Sequence, residues 1–353
     1  MTAARPVVIG TRVLGQGPAF IVAEAGVNHN GDLDLALRLV EAAAEAGADA
    51  VKFQTFRTGA LVSAAAPKAR YQQETTGTGE SQSVMLARLE LGPDAHARLR
   101  DHAARRGIVF FSTPFDEASA DVLDRLGVAL FKVPSGEVTN VPLLRHVAAK
   151  GKPILLSTGM STLDEVATAL DTIAGAGDPP VAVLHCVSAY PAPAEETNLR
   201  AMDTMRARFG RPVGLSDHTL GIEIALAAVA RGAAVLEKHV TLDRRLPGPD
   251  HRASLEPDEL ARLVRGARMI EAALGDGDKR PMPSELDTRA VARRSLVAAR
   301  ALPAGHRLTR DDVAVKRPGT GIPPAELERV VGRTLGRAVA ADELLEWSAL
   351  GAR

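Results

Sequence analysis

The sequence has few of the residues that build disulfides and aromatic surfaces: one cysteine, one tryptophan and two tyrosines among 353 residues. The single Cys186 excludes an intrachain disulfide and a thiolate metal site, which is typical of a reducing compartment. The sequence also lacks an apolar run near the roughly 18 residues of a membrane span, and it lacks the basic segment and apolar core of a signal peptide. We therefore expect a soluble cytoplasmic protein with no membrane partner.

An excess of charge of one sign is also absent, since 43 Lys and Arg residues balance 43 Asp and Glu residues. This balance gives no overall field for nucleic acid, so no nucleic-acid partner is expected. Any anion that the protein binds must be held locally. With 46% hydrophobic and 24% charged residues, the chain can bury a large core.

Most of the short apolar segments end in residues that can take part in chemistry. FIVAEAG contains Glu24, and the last segment of this series, VLEKH, contains Glu237 and His239. The other residues of this kind are Lys52, Gln54, Thr113, Lys132, Ser135, Glu137, Ser157, Ser188, Tyr190, Ser216 and His218. A parallel β-barrel collects the C-terminal ends of its strands on one face, where the active sites of that fold lie. The pattern therefore predicts an α/β fold, a (β/α)8 TIM barrel.

Segments with helical periodicity alternate with these strands. The stretch 32–46 has apolar residues three and four apart and stops at Gly47. Similar segments lie near 94–106, 116–126, 141–150, 162–174, 198–209, 220–231 and 257–274. The alternation implies parallel pairing of the strands.

The chain is longer than the roughly 250 residues of one such barrel, so we expect a second, smaller domain. We place the barrel at 1–274, a linker rich in Gly, Pro and charge at 275–294, and a small β-rich domain of the β-clip type at 295–353. Within the barrel, the long polar connection 56–92 is expected to be a functional lid.

His218 and His239 end the seventh and eighth predicted strands, which are neighbours in a barrel. Their imidazoles can therefore converge on one cation, and two protein ligands would leave coordination positions open for a substrate oxygen. The alternative is that each is a buried histidine with a purely structural partner.

Lys52 and Lys132 lie inside apolar strands, where an unpaired charge is costly. If they face the barrel mouth, their ammonium groups and the nearby hydroxyls form a ring of donors for a phosphate and a carboxylate. Two alternatives remain: the lysines point outward past the helices, or one of them forms a Schiff base.

Two acids and one tyrosine are the remaining candidates at the C-terminal ends of the predicted strands. Glu24 and Glu137 are candidates for general acid or base, or they orient lysines or water. Tyr190 is placed to stack on a sugar, and its alternative is packing against Pro191 and Pro193.

Nine motifs in order resemble the sialic acid synthase family, and together they cover about residues 18–350. They are AEAGVNHNGDLDLA, ADAVKFQTF, YQQETTGTGESQ, FFSTPFDEAS, KVPSGE, LLSTGMST, HCVSAYPAP, GLSDHT and EKHVTLDRRLPGPDH. The C-terminal ARRSLVAARALPAGHRLTRDDVAVKRPGTG resembles the antifreeze-like (SAF) domain of that family. The family condenses phosphoenolpyruvate with N-acetylmannosamine.

The resemblance implies roles for the residues at matching positions. His218 and His239 would hold a divalent metal, usually manganese, with magnesium or cobalt as alternatives. Around phosphoenolpyruvate would lie Lys52, Thr113, Lys132, Ser135, Ser157, Ser188 and Ser216. The residues that would reach the amino sugar are Gln54, Tyr190, Asp250 and Arg317. Glu24 and Glu137 would assist the transfer of protons or water. Arg317 would come from the partner subunit of a domain-swapped homodimer.

The resemblance predicts a transferase that makes a nonulosonic acid and phosphate, with N-acetylmannosamine as the acceptor. One alternative is a legionaminic acid synthase, whose acceptor is 2,4-diacetamido-2,4,6-trideoxymannose. A non-enzymatic alternative is a sugar-binding or antifreeze module with an inactive barrel.

Overall fold

A computed structural model describes residues 6–351 of the chain. They form two compact units that divide after Gly275. The segment predicted as a linker, 275–294, is not structureless, because it contains a one-turn 3-10 helix (Pro283–Glu285) and a short α-helix (Leu286–Ala292).

Eight parallel strands form the centre of the first unit and confirm the predicted barrel. Their bounds are β1 Phe20–Gly26, β2 Ala50–Thr55, β3 Val109–Pro114, β4 Phe131–Val133, β5 Ile154–Ser157, β6 Val181–Cys186, β7 Val213–Asp217 and β8 Val235–His239. Neighbours hydrogen-bond in the order β3-β2-β1-β8-β7-β6-β5-β4. The two end strands, β3 and β4, lie side by side, so the barrel is nearly closed.

A helix follows each strand and covers the outside of the barrel. The bounds are α1 Leu33–Glu45, α2 Pro93–Arg105, α3 Glu117–Leu126, α4 Val141–Ala148, α5 Leu163–Gly175, α6 Ala201–Phe209, α7 Glu223–Ala230 and α8 Pro257–Leu274. Local signals fix several ends: the Asp32 carboxylate accepts hydrogen bonds from the first backbone amides of α1, and Thr162 and Glu165 form a capping box on α5. The apolar stripes of the helices pack on the outward-facing strand residues in one large core.

The inside of the barrel has its own core, and its rows lead directly to the predicted site. Side chains on a strand alternate between two faces, so residues two apart point the same way. Buried interior residues include Val22, Ala50, Leu130, Leu155 and Val235. Two residues further along the same strands stand Glu24, Lys52, Lys132, Ser157 and Glu237. The apolar interior and the polar mouth of the barrel are therefore successive layers of inward-facing side chains.

The N-terminal end of the barrel is closed by a short hairpin, Val8–Ile9 paired with Arg12–Val13. Val7, Ile9 and Leu14 are buried with the interior core. Inside the barrel, Gly214 on β7 leaves no room for a side chain, because an added Cβ would lie 2.3 Å from the Val235 carbonyl oxygen. These contacts keep water out below the mouth.

The connection between β2 and α2, predicted as a polar loop, contains three short helices: Thr58–Leu61, Arg70–Thr76 and Gln82–Ala87. We call residues 58–87 the lid. An apolar cluster of Val27, Phe56 and Leu89 holds it from below, with Leu61 and Leu86 of the lid packed against it. These contacts bury apolar side chains of the lid and hold it against the first unit. The local sequence pattern does not predict them.

A buried lysine ties the lid together. The Lys68 ammonium group donates hydrogen bonds to Thr76 Oγ1 (2.9 Å), the Gly77 carbonyl oxygen (3.1 Å) and Glu80 Oε1 (3.1 Å). A lysine is buried only when it is paired in this way. Lys68 therefore fixes the helix Arg70–Thr76 relative to the turn that follows it.

The second unit is small and rich in turns. Strands β9 (Ser295–Ala298) and β10 (Val313–Lys316) pair antiparallel, and further single bridges tie the chain together. Its core includes Leu296, Leu308 and Leu345. Asp312 is buried and accepts hydrogen bonds from Arg300 Nη2 and Thr309. The unit thus matches the predicted small β-rich domain. Across residues 6–351, none of the helices has the length and apolar character needed to cross a membrane.

Buried histidines around the loops after β1 and β8 make the stability of the first unit depend on pH. Burial lowers the pKa of His29 to about 4, and the nearby His96 and His251 add to this effect. A histidine whose pKa is lowered in the folded state stabilises fully above pH 6.5 and loses that contribution as the pH falls toward 4.

We expect His29 alone to account for a loss of about 2 kcal/mol in the free energy of unfolding between pH 7 and pH 5. In His29→Asn the amide oxygen can still accept the hydrogen bond that the Gly31 amide donates to His29 Nδ1, but nothing titrates. Urea unfolding at both pH values should show a flatter pH dependence for His29→Asn than for the wild type. Equal slopes for His29→Asn and the wild type would contradict the prediction.

Candidate active site

A cavity of about 490 Å³ opens at the C-terminal ends of the barrel strands. It brings together most residues predicted from the sequence: Glu24, Lys52, Gln54, Thr113, Lys132, Ser135, Ser157, Ser188, Tyr190, Ser216, His218, His239 and Asp250. The lysines therefore face inward. The outward alternative is therefore wrong for Lys52 and Lys132. Lys238, next to Glu237 on β8, is also buried, and its ammonium group donates to Asp217 Oδ2 at 2.6 Å.

The two inward lysines are paired with carboxylates. Lys52 Nζ lies 2.8 Å from Glu24 Oε2 and 3.7 Å from Glu237 Oε2, and it donates to Thr113 Oγ1 at 3.0 Å. Lys132 Nζ donates to Glu237 Oε1 at 2.8 Å, an oxygen that also accepts from Ser216 Oγ at 3.0 Å. The predicted ring of donors is thus a network of two ammonium groups and two carboxylates with hydroxyls on its edge.

The two carboxylates of this network differ in their proton affinity. Burial raises the pKa of Glu24 to about 7, against the opposing effect of Lys52. Burial also disfavours the ionised form of Glu237, but Lys132 and Lys52 outweigh it and lower the pKa of Glu237 to about 2. Near neutral pH, Glu237 is a fixed negative charge, whereas Glu24 exchanges a proton readily. Glu24 is therefore the group suited to general acid or base chemistry.

Small polar groups surround one side of the cavity. The Gly159 amide donates to Ser135 Oγ at 2.9 Å. A Cβ added to Gly159 would lie 2.2 Å from Ser188 Oγ and 3.3 Å from Cys186 Sγ, so only glycine fits there. Ser157 Oγ is buried and has no hydrogen-bond partner in the described part of the chain. The Ser157 hydroxyl is therefore free to donate to an anion that enters beside the lysines, with Ser135 and Ser188 also lining the cavity.

The two histidines lie side by side, with ring centroids 5.3 Å apart. His218 Nδ1 donates to the Val187 carbonyl oxygen at 2.7 Å, which leaves the lone pair of its other nitrogen available. His239 Nδ1 is buried without a partner, and burial lowers the pKa of His239, which keeps its imidazole neutral. Burial opposes the protonated form of His218, but its contacts with Cys186 and the Val187 carbonyl outweigh burial and raise the pKa of His218. His239 is thus in the neutral form that binds a divalent metal, whereas a metal would have to displace the proton of His218 wherever that ring is charged.

The donor set therefore fits such a metal. Among residues 6–351 no group of three or more His, Cys, Asp or Glu side chains converges as a metal site. The protein would supply two imidazoles and leave the other positions to substrate or water.

Aromatic rings close the outer side of the cavity. Tyr190 lies on His218, with ring centroids 4.1 Å apart, and Tyr71 of the lid lies on Tyr190 at 4.9 Å. Asp250 lines the same side; burial raises its pKa to about 6, and its Oδ1 atom has no partner among the described residues. The expected alternative for Tyr190, simple packing on prolines, does not account for its position over His218.

Two predicted residues are not brought to the cavity by the barrel. Glu137 follows β4 in a one-turn 3-10 helix, and its carboxylate accepts a hydrogen bond from Asn140 Nδ2 at 2.6 Å instead of facing the cavity. The structure therefore favours Glu24 over Glu137 as the acid or base. Arg317 is an exposed residue of the second unit, directly after β10.

Several lining residues had no role assigned from the sequence, and Glu237, Cys186 and Tyr71 matter most among them because they contact predicted site residues. A signal existed for Glu237, because it lies two residues before His239 on β8 and must share its inward face. The same spacing relates Cys186 to Ser188. Tyr71 carries no such signal, since it reaches the cavity from the lid.

Comparisons with known proteins agree with this geometry. The model of the NeuB family matches residues 39–279, and that of the SAF domain matches residues 293–351. Because the family model covers most of the chain, the protein belongs to the NeuB family. It is an enzyme of the transferase type, and the inactive-module alternative is not supported.

Particular relatives are similar over nearly the whole chain. The N,N'-diacetyllegionaminic acid synthase of Legionella pneumophila is 48% identical over 93% of both chains. The human N-acetylneuraminate-9-phosphate synthase is 38% identical over 95% of this chain and 94% of that protein. The crystal structure of N-acetylneuraminic acid synthetase from Leptospira borgpetersenii, in complex with citrate, has a TM-score of 0.71 and 37% identity, and it covers 81% of this chain and 95% of that chain.

Proposed function

We propose that the protein condenses phosphoenolpyruvate with 2,4-diacetamido-2,4,6-trideoxymannose and water to give N,N'-diacetyllegionaminic acid and phosphate. The observation that carries the proposal is one cavity in which the Lys52–Lys132 network adjoins the histidine pair and a stacked tyrosine. An anion with two charged groups fits the first part, and a neutral N-acyl sugar fits the second.

In this scheme the phosphoenolpyruvate carboxylate and phosphate lie against Lys52 and Lys132, with donors from Thr113, Ser157 and Ser216. Fixed ammonium groups and hydroxyls in a buried site hold the anion in one orientation and stabilise the charge that shifts during the reaction. Binding brings negative charge beside Glu24, which favours its protonated form, so the enzyme carries a proton into the complex.

The reaction forms one C–C bond and exchanges the C–O bond between C2 and phosphate for a C–O bond to the oxygen of water. C3 of phosphoenolpyruvate attacks the aldehyde carbon of the open-chain sugar, and the aldehyde oxygen takes a proton, for which Glu24 is the nearest suitable donor in our scheme. Water adds to C2, and the resulting tetrahedral centre expels phosphate and becomes the keto group. A divalent metal on His218 and His239, when bound, would polarise the aldehyde oxygen.

The proposed acceptor is the alternative considered from the sequence and not the first expectation, N-acetylmannosamine, because the similarities in sequence favour it. The legionaminic acid synthase of Legionella pneumophila shares 48% identity with this chain, against 38% for the human N-acetylneuraminate-9-phosphate synthase. N-acetylmannosamine remains the second candidate, because a neutral N-acyl sugar of that size meets the same lysines, histidines and tyrosine.

The test is release of inorganic phosphate from phosphoenolpyruvate with a panel of N-acyl mannosamines. We expect release only when an acceptor is present, and the highest kcat/KM with the 2,4-diacetamido sugar. Release that does not depend on any acceptor would overturn the proposal, and a higher kcat/KM with N-acetylmannosamine would favour the second candidate.

We further propose a cytoplasmic homodimer in which Arg317 of each subunit completes the acceptor side of the partner's cavity. The resemblance in sequence and the exposure of Arg317 support this arrangement. It gives the small second unit a direct role in binding the sugar.

Subunit mixing tests the dimer. Arg317→Ala and Lys132→Ala should each be nearly inactive, but after subunit exchange a swapped heterodimer has one barrel with intact Lys132 facing an intact Arg317. We expect up to half of the wild-type activity per heterodimer, measured as phosphate release. If the domains are not swapped, every cavity keeps one defect, so inactivity of verified heterodimers would exclude the arrangement.

A further inference from the structure

We infer that the lid selects acceptors that carry a methyl group, rather than a hydroxymethyl group, at C6. The inference rests on the proposed function, because it concerns which N-acyl sugar the same cavity takes. It assigns a specificity-determining role to lid residues outside the barrel.

The lid presents an apolar wall to the cavity. Leu61, Val62, Met85 and Leu86 all line it. Leu61 and Leu86 are anchored because they also pack on Phe56 and the rest of the cluster below the lid. These four side chains offer a sugar hydroxyl no strong hydrogen-bond partner.

The polar side chains of the lid that reach the cavity are occupied by one another. Gln72 Oε1 accepts from the Ala69 amide at 3.0 Å and from Gln82 Nε2 at 3.1 Å. Gln72 Nε2 in turn lies 3.4 Å from the Tyr71 hydroxyl oxygen. Gln72 Oε1 and Gln82 Nε2 are thus used within the lid, and Leu61, Val62, Met85 and Leu86 form the apolar part of the surface that remains for a ligand.

Tyr71 joins this wall to the acceptor side of the cavity. Its ring stacks on Tyr190, which lies on His218, so the two tyrosines of the chain form one aromatic surface beside the histidine pair. The helix that carries Tyr71 is fixed by the buried Lys68, and Thr75 Oγ1 of the same helix approaches the Pro249 carbonyl oxygen at 3.4 Å, next to Asp250. The lid is therefore shaped before a sugar arrives.

A hydroxyl group pressed against such a wall loses water and gains no hydrogen bond, whereas a methyl group gains apolar contact. Discrimination of this kind typically reaches roughly 10- to 100-fold in kcat/KM.

The test compares kcat/KM for 2,4-diacetamido-2,4,6-trideoxymannose with that for the same sugar bearing a 6-hydroxyl group. Leu86→Asn keeps the side-chain size and gives the hydroxyl a partner. Met85→Gln is a second variant of similar volume in case Leu86→Asn folds poorly. Val84→Asn is the matched control, because Val84 is on the same short helix but is 52% exposed and does not line the cavity.

We expect the wild type and Val84→Asn to prefer the deoxy sugar by roughly 10-fold or more, and at least one wall variant to lose most of that preference while its KM for phosphoenolpyruvate is unchanged. If neither sugar supports phosphate release, the proposed function is wrong. Turnover of both sugars with a ratio that neither Leu86→Asn nor Met85→Gln alters would overturn the inference and leave the function standing.

Discussion

Lys132→Ala should lower kcat/KM for phosphoenolpyruvate by about 30-fold or more, which corresponds to about 2 to 5 kcal/mol. The reason is the pairing of Lys132 with Glu237 at 2.8 Å inside the barrel. Without the ammonium group, the carboxylate of Glu237 stays buried close to the position of the incoming anion and repels it. Steady-state phosphate release at varied phosphoenolpyruvate and at varied sugar would separate the two substrates.

The control is Lys150→Ala, whose ammonium group pairs with Asp121 on the outer helices. We expect it to leave both kcat/KM values near those of the wild type. Equal losses for both substrates in Lys132→Ala, or no loss, would show that Lys132 does not hold the anion.

Removing the metal should have a similarly large effect. Two imidazoles bind a divalent ion weakly, so chelation should abolish turnover and added manganese should restore it. His239→Ala should lower kcat by at least about 100-fold and should also abolish manganese binding measured by calorimetry.

His102→Ala is the matched control, since His102 is on the outer face of α2 and pairs with Glu41. It should bind manganese and turn over as the wild type does. Full activity after exhaustive chelation, or unchanged manganese binding by His239→Ala, would remove the metal from the scheme.

The barrel could be predicted because its two periodicities are local. Strand alternation places residues two apart on one face, so apolar interior residues such as Val22 and Val235 point to the same axis as Glu24 and Glu237. The helix segments carry three-and-four spacing with caps, and most of the observed bounds differ from the predicted ones by only a few residues.

The structure of the lid and the pairing of the lysines were harder to predict from the sequence, because both depend on contacts that form only in the folded protein. Lys68 can be buried because Thr76, Gly77 and Glu80 accept its hydrogen bonds in the folded lid. No local sequence pattern predicts such a cluster. Pairing of Lys132 with Glu237 joins residues 105 positions apart. Which carboxylate meets which lysine depends on strand register across the barrel, which composition and spacing leave open.

The N-terminal hairpin is another feature that depends on tertiary contacts. Its strands, Val8–Ile9 and Arg12–Val13, are two residues each, too short for periodicity to signal. They are stable where they are because Val7, Ile9 and Leu14 cover the base of the barrel.

In the proposed reaction, water attacks C2 and phosphate leaves by cleavage of the C–O bond, while the new C–C bond is retained. The direct measurement is a reaction in ¹⁸O-labelled water with phosphoenolpyruvate and the 2,4-diacetamido sugar, followed by mass spectrometry of both products before the label exchanges. We expect a nonulosonic acid that carries one ¹⁸O atom from water at C2 and phosphate that carries none. Labelled phosphate together with pyruvate and unchanged sugar would contradict it, because the protein would then hydrolyse the P–O bond and join nothing.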